Sequence, residues 1–405
     1  MSGPPMAVDS AARSKSALHP EPQNTHPDAP RAHLPYPQRM QLKRIDPLSV
    51  GGHQGELALL GEIRRQAERA IGRTQKGGLR QNGGLGQNGG LRLGIGDDCA
   101  LLAPRRGEEL AVTTDLSIAG RHFRLDWHAP EAVGHRALAR GLSDLAAMGA
   151  RPVAAFLSLG LPRSLTVAGL GRGAASRSWV QRFLDGFFAL AKAYSTPLAG
   201  GDLAESPVAV ADIVLVGAVP RGRALLRSGA RPGDLLYVTG ALGGAAAGLV
   251  RLAGLAEAQS GRINPPRISK KLEALLAAHL YPQPRVSQGL WLQRRGLATA
   301  ALDLSDGLST DLAHLCEESG VAAEVDAALL PLGLGATFDQ ALHGGEDYEL
   351  LFSAPPTARL PRAIAGVAVT RIGRIAKART GKPAVTLITE QGAQLLEPHG
   401  WEHFS

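Results

Sequence analysis

The chain has 405 residues, 44% of them apolar and only 4% aromatic. At roughly 150 residues per domain this predicts two or three domains, and so few aromatic rings argue against a stacking platform for single-stranded nucleic acid. The net charge of +8 comes from basic residues spread singly, which favours a solvated face over a nucleic-acid site, and two cysteines, Cys99 and Cys316, exclude a disulfide scaffold and a cysteine-rich metal site.

Residues 1–50 are rich in Pro, Ser, Ala and His without apolar periodicity, and are expected to be a disordered tail. No hydrophobic stretch of a signal peptide follows Met1, so a cytoplasmic location is expected. Residues 55–72 have helical spacing through Leu57, Leu60, Ile63, Ala67 and Ile71. The run KGGLRQNGGLGQNGGLRLG (76–94) predicts a flexible loop, because glycine loses most chain entropy on ordering.

Beyond it strands and helices alternate. Candidate strands are 109–115, 152–161, 208–219, 234–240, 298–305, 347–354 and 367–375, and candidate helices 130–148, 176–194, 243–256, 306–319 and 358–364. The 130–148 helix has Pro130 in its first turn and stops at Gly149. This order predicts an α/β fold of mixed α+β layers. The polar stretch 220–234 suggests a boundary, giving an N-terminal domain over 51–225 and a C-terminal α/β domain over 226–405. The most apolar run, VAVADIVLVGAV (208–219), is too short to span a bilayer and carries Asp212.

A P-loop, a protein-kinase catalytic loop, a zincin helix and a nucleophile elbow are all missing. Aspartates stand instead at predicted strand and helix ends: Asp97, Asp98, Asp115, Asp144, Asp202, Asp303 and Asp306. In an α/β fold the strand carboxyl ends face the ligand crevice. Carboxylates gathered there repel one another unless a hard cation such as Mg2+, bound with substrate phosphates, offsets the charge. Taken alone, Asp97, Asp98, Asp202 and Asp306 are better accounted for by turn-closing or helix-start roles, and Asp115 also suits a strand end. Such roles do not account for Asp144, in a last helical turn whose dipole disfavours an anion, or for Asp303, in an apolar strand where an unpaired charge is costly.

Taken in order, GIGDDCALL (94–102), VTTDLSIAGRHF (112–123), LSDLAAMGARP (142–152), AGGDL (199–203), GRALLRSGARPGD (222–234), ALDLSDGLSTDLAHL (301–315) and GGEDYELLF (344–352) resemble the thiamine-monophosphate kinase family, within the aminoimidazole ribonucleotide synthetase-like superfamily. The resemblance covers about residues 51–405 and implies a two-domain homodimer paired through its N-terminal sheets. It implies ATP-dependent conversion of thiamine monophosphate to thiamine diphosphate. Carried onto this sequence, it implies that Asp98, Thr113, Thr114, Asp115, Asp144, Asp202, Asp303 and Asp306 hold several Mg2+ ions, with Asp144, Asp303 and Asp306 central to catalysis. Gly201, Asp202, Arg227 and Ser305 would contact ATP, and His122, Glu346 and Trp401 thiamine monophosphate. One departure is Leu203, where the family usually has threonine after Gly-Gly-Asp.

Overall fold

Among the described residues, local signals mark several helix ends, such as Pro130, the Ser178 capping box, Gly296 and Gly320, and strands are placed by their partners. The computed structural model describes residues 56–71, 90–167, 177–258, 268–378 and 383–400. The tail over 1–50, most of the glycine-rich run and Trp401 lie outside the described residues. The first half runs α1 (Glu56–Ile71), β1 (Leu91–Leu93), β2 (Leu101–Leu102), β3 (Glu108–Ile118), α2 (Pro130–Ala147), β4 (Arg151–Leu161), α3 (Trp179–Ala193), β5 (Leu198–Glu205) and β6 (Val210–Pro220). The second runs β7 (Leu235–Thr239), α4 (Gly244–Ala258), α5 (Lys270–Leu280), α6 (Val286–Arg295), β8 (Ala300–Asp303), α7 (Leu308–Ser319), β9 (Ala322–Asp326), α8 (Phe338–His343), β10 (Leu350–Ala354), β11 (Ala363–Ile364), β12 (Val367–Ala376), β13 (Val385–Thr389) and β14 (Gly392–Leu395).

The first half builds a sheet ordered β3-β6-β4-β5, antiparallel except where β5 runs parallel to β4. The second builds a larger sheet through β14-β13-β9-β12-β7-β10-β8, with β11 on β12. The architecture is the expected mixture of α and β layers. No helix among the described residues is long and apolar enough to cross a membrane.

Helix α2 lies at the centre. Pro130 starts it, and it is buried along most of its length. One apolar core joins Leu138 and Leu142 of α2, Phe183 and Phe187 of α3, Leu215 of β6, Leu292 of α6 and Phe352 of β10. Where α2 crosses α3 the backbones touch. A Cβ on Gly134 would lie 1.9 Å from the Phe183 carbonyl oxygen, and one on Gly186 1.8 Å from that of Glu131. A second core fills the space between the larger sheet and α7, around Leu236, Leu312 and Val325.

Two sequence expectations need correction. Residues 358–364 are not helical, since Pro355, Pro356 and Pro361 remove donors and fix φ. The chain there forms β11, whose Ile364 pairs with Val367 across a two-residue turn with Ala365 at φ +46° and Gly366 at φ +81°. The strand expected over 347–354 begins only at Leu350, because Glu346 and Tyr348 both adopt positive φ. Strand β5, read in the sequence only as a Gly-Gly-Asp turn, forms through its pairing with β4.

Candidate active site

A cavity of about 490 Å³ opens beside α2, walled by the loop after β3, by α4, and by the loops that follow β8 and precede β10. Positions 136, 140 and 144 recur at four-residue spacing, so Arg136, Arg140 and Asp144 project along one face of α2. Asp115 reaches the same end from β3, Asp303 from the last position of β8, and Ser305 and Asp306 from the turn beyond it. Backbone bonds lock the two loops together: Glu346 N–H donates to the Ser305 carbonyl at 2.8 Å, and Tyr348 N–H to that of Leu304 at 2.9 Å. The buried carboxylate of Asp311 accepts the N–H groups of Asp306 (3.0 Å) and Gly307 (3.1 Å), fixing the turn that carries Asp306.

One end of the cavity is acidic. Ser143 Oγ donates to Asp303 Oδ2 at 2.6 Å, the Thr113 hydroxyl donates to Asp144, and Arg140 Nη2 lies 3.1 Å from Asp115 Oδ1. Burial raises the Asp115 pKa to about 6 against the pull of Arg140. Burial, with the negative charge of Asp303 added, raises Asp144 to about 7, while the Thr113 hydrogen bond and the positive charge of Arg227 oppose the rise. Asp303 is raised as well, again chiefly by burial. Each carboxylate is therefore short of compensating positive charge. The donor set, carboxylates and hydroxyls, is of the type a hard divalent cation takes, so the residues fit such an ion. Among the described residues no three His, Cys, Asp or Glu side chains are already drawn together as a cage.

The other end is a buried polar cluster. Arg136 Nη2 donates to Glu346 Oε1 at 2.5 Å, and Nη1 donates to the His279 carbonyl at 2.7 Å. His279 Nε2 faces His128 Nε2 at 3.0 Å. Both rings are held towards the neutral form by burial and by Arg136, with His128 lowered to about 4. His122 lines the same end, its Nδ1 accepting the Ile118 N–H at 3.1 Å. Phe123, Trp127 and Leu249 give this end an apolar wall.

Of the expected site residues, Asp115, His122, Asp144, Asp303, Ser305, Asp306 and Glu346 line this one cavity, and Thr113 backs it through Asp144. Others do not line it. Side chains alternate between the two faces of a strand, so Thr114 lies on the face of the first sheet opposite to Asp115 and bonds Asp212 at 3.2 Å. Asp212, Ser158 and Asp202 follow in register across that outer face. Gly201 is required by space, since a Cβ there would sit 1.9 Å from the Leu157 carbonyl oxygen at φ +150°. Asp98 is in an exposed turn, its N–H donating to Asp97 Oδ1 at 3.0 Å. Arg227 lies outside the lining, although its charge reaches Asp144 and Asp303. The sequence reading missed Arg136, Arg140, His128 and His279; the i, i+4 spacing of the two arginines with Asp144 was the available signal.

Comparison with known proteins agrees with this architecture. Residues 96–220 match the model of the AIR synthase related protein N-terminal domain, and residues 231–385 that of the C-terminal domain. The chain is an AIR synthase related protein, a class here defined by two sheets around a shared acidic cavity. It is 39% identical over 327 residues to thiamine-monophosphate kinase of Escherichia coli K12, covering 78% of this chain and 93% of that one. The crystal structure of thiamine-monophosphate kinase from Stenotrophomonas maltophilia K279a superimposes with a TM-score of 0.63 at 37% identity, over 82% of this chain and 96% of that one. AaThiL complexed with AMPPCP and TMP superimposes with a TM-score of 0.60 at 29% identity, over 86% and 97% of the two chains. Within its class, this chain belongs to the thiamine-monophosphate kinase family.

Proposed function

We propose that this chain transfers the γ-phosphoryl group of ATP to the phosphate of thiamine monophosphate, forming thiamine diphosphate and ADP. The observation that carries the proposal is one cavity with Asp115, Asp144, Asp303 and Asp306 at one end and His122 with Glu346 at the other. Support comes also from the family and from AaThiL complexed with AMPPCP and TMP.

The nucleophile is an oxygen of the thiamine monophosphate phosphate. With a second pKa near 6, as for phosphate monoesters generally, it is largely dianionic at neutral pH, so no general base is needed. It attacks the γ-phosphorus in line, and the bond from that phosphorus to the β–γ bridging oxygen breaks, so that ADP leaves with the electron pair. The obstacle is repulsion between two polyanions. When bound, Mg2+ supplies charge neutralisation and a template for both phosphates. In this reading Thr113, Asp115, Asp144, Asp303 and Asp306 hold the metal, with Asp144, Asp303 and Asp306 nearest the transferring group. Asp98, Thr114 and Asp202 are assigned to Mg2+ by family likeness alone. Ser305, Gly201, Asp202 and Arg227 are assigned to ATP, and His122, Glu346 and Trp401 to thiamine monophosphate.

The same reading takes 51–225 and 226–405 as the two domains and places the protein in the cytoplasm as a homodimer. Support for the dimer is the outer face of β3, where Leu110, Val112 and Leu116 are left exposed. The test offers purified protein Mg–ATP with thiamine monophosphate, thiamine or an aminoimidazole ribonucleotide precursor and follows ADP. Release only with thiamine monophosphate is expected. ATP binding without turnover on any acceptor would leave a nucleotide-binding module instead.

A further inference from the structure

The acidic end holds a cation as well as carboxylates. Arg140 stands one helical turn before Asp144, and its Nη2 is 3.1 Å from Asp115 Oδ1. Its Nη1 lies 3.3 Å from Ser117 Oγ and 3.4 Å from the Leu116 carbonyl oxygen. Both charged side chains are four-fifths or more covered, Arg140 being 17% and Asp115 20% exposed. The pair is therefore a built feature of the cavity and not a surface contact, and water screens it weakly.

This pair conflicts with a metal at Asp115. A divalent ion sits about 2.1 Å from a carboxylate oxygen, which would bring it within about 5 Å of the guanidinium. The ion and the guanidinium would therefore compete for the charge of one carboxylate. A phosphate resolves the conflict, because its oxygens offer a guanidinium the same forked geometry as a carboxylate with more negative charge. Arg140 lines the cavity and hangs on β3 by one long bond to a carbonyl and one to a hydroxyl, so its head can swing without unpacking α2.

We propose that Arg140 is a phosphate-responsive latch: it occupies Asp115 in the empty site and leaves it for the phosphate of the acceptor, so that divalent metal binds at Asp115 only when that phosphate is present. The inference rests on the reading of the acidic end as a magnesium site. Linkage requires the coupling to be reciprocal, with metal tightening the phosphate ligand by the factor by which that ligand tightens metal, commonly about 5–150-fold.

The test is a Mn2+ titration of the full chain followed by the electron paramagnetic resonance of free Mn2+, without nucleotide, with and without thiamine monophosphate, corrected for Mn2+ held by the ester itself. In the wild type, thiamine monophosphate should tighten Mn2+ by about tenfold, within that coupling range. Arg140→Met should bind Mn2+ more tightly than the wild type before the ester is added and gain less from the ester than the wild type does, since the competing cation is gone. Arg140→Lys, which keeps the charge but loses the fork, should fall between the two and serves if the methionine variant does not fold. The double variant Arg140→Met with Asp115→Asn should lose the gain. Wild-type Mn2+ affinity in both single variants overturns the latch, and so does a gain that survives loss of Asp115. If Asp115→Asn in the wild-type background leaves Mn2+ binding with thiamine monophosphate unchanged, the magnesium reading of Asp115 fails instead.

Discussion

Asp144 holds a carboxylate where neither water nor the helix dipole favours its charge. Asp144→Asn keeps the shape and the Thr113 contact while removing the charge, so turnover should drop by at least ~10²-fold with an unchanged circular dichroism spectrum. The same variant tests the electrostatics without substrate. Asp115 and Asp144 titrate near 6 and 7 in the fold, against an ordinary 3.8. Folded-state pKa values raised in this way favour the native state at low pH, and the advantage is lost as pH rises through the folded values. In EDTA the wild type should lose stability between pH 5 and pH 8. Asp144→Asn should lose less and be the more stable protein at pH 8, by about 1 kcal/mol or more. Thermal unfolding at the two pH values checks this, and an equal gap at both would refute it. Asp144 and Asp303 were legible in the sequence because local structure gave neither a reason to be there. Arg136 and Arg140 share the i, i+4 spacing of Asp144, but that signal carries little weight alone, since an arginine on a helix looks solvated until the helix is known to be enclosed.

Among the elements, α2 and α3 depend on glycine at their crossing. In a solvated helix Gly→Ala stabilises by up to ~1 kcal/mol. At Gly186 the added carbon would overlap the Glu131 carbonyl, so Gly186→Ala should cost ~1–3 kcal/mol by overpacking. A lower urea midpoint is expected, and a higher one would mean that the backbones do not touch. Much of this level could be read in advance. Pro130 and Gly149 bracket α2, and short apolar runs mark β3 and β4. Strand β5 could not be read, because Leu-Ala-Gly-Gly-Asp has turn composition and becomes a strand only against β4. Nor could the bend at Glu346–Tyr348, where non-glycine residues take positive φ because neighbouring loops bond their backbone.

At the scale of the molecule, the first sheet presents two unlike faces. Its inner face carries Asp115 towards α2, and its outer face leaves Leu110, Val112 and Leu116 exposed at 42%, 63% and 45%. Such a face on an otherwise charged protein suits a second copy of itself. The wild type should therefore elute at the mass of two chains in light-scattering chromatography, and Val112→Asp, which puts a charge into that apolar face, should shift it towards one. A wild type that stays single at micromolar concentration would remove the pairing from the model of function. The two-layer architecture was foreseeable from the alternation of elements, but which strand faces would stay bare depended on tertiary packing that no local pattern records.

Helix α2 threads both ends of the cavity, with Arg136 on the clamp of Glu346 and Arg140, Ser143 and Asp144 among the acids. On the proposed assignment of the two ends, a small tilt of this one rod would move the acceptor pocket and the phosphoryl-transfer machinery together. Recognition and chemistry are thus geared, and an enzyme so built cannot easily re-tailor its acceptor by editing the helix. Change of substrate preference would have an open route through the loops facing it, residues 120–128 and 344–349, which can be recut while the rod stays put.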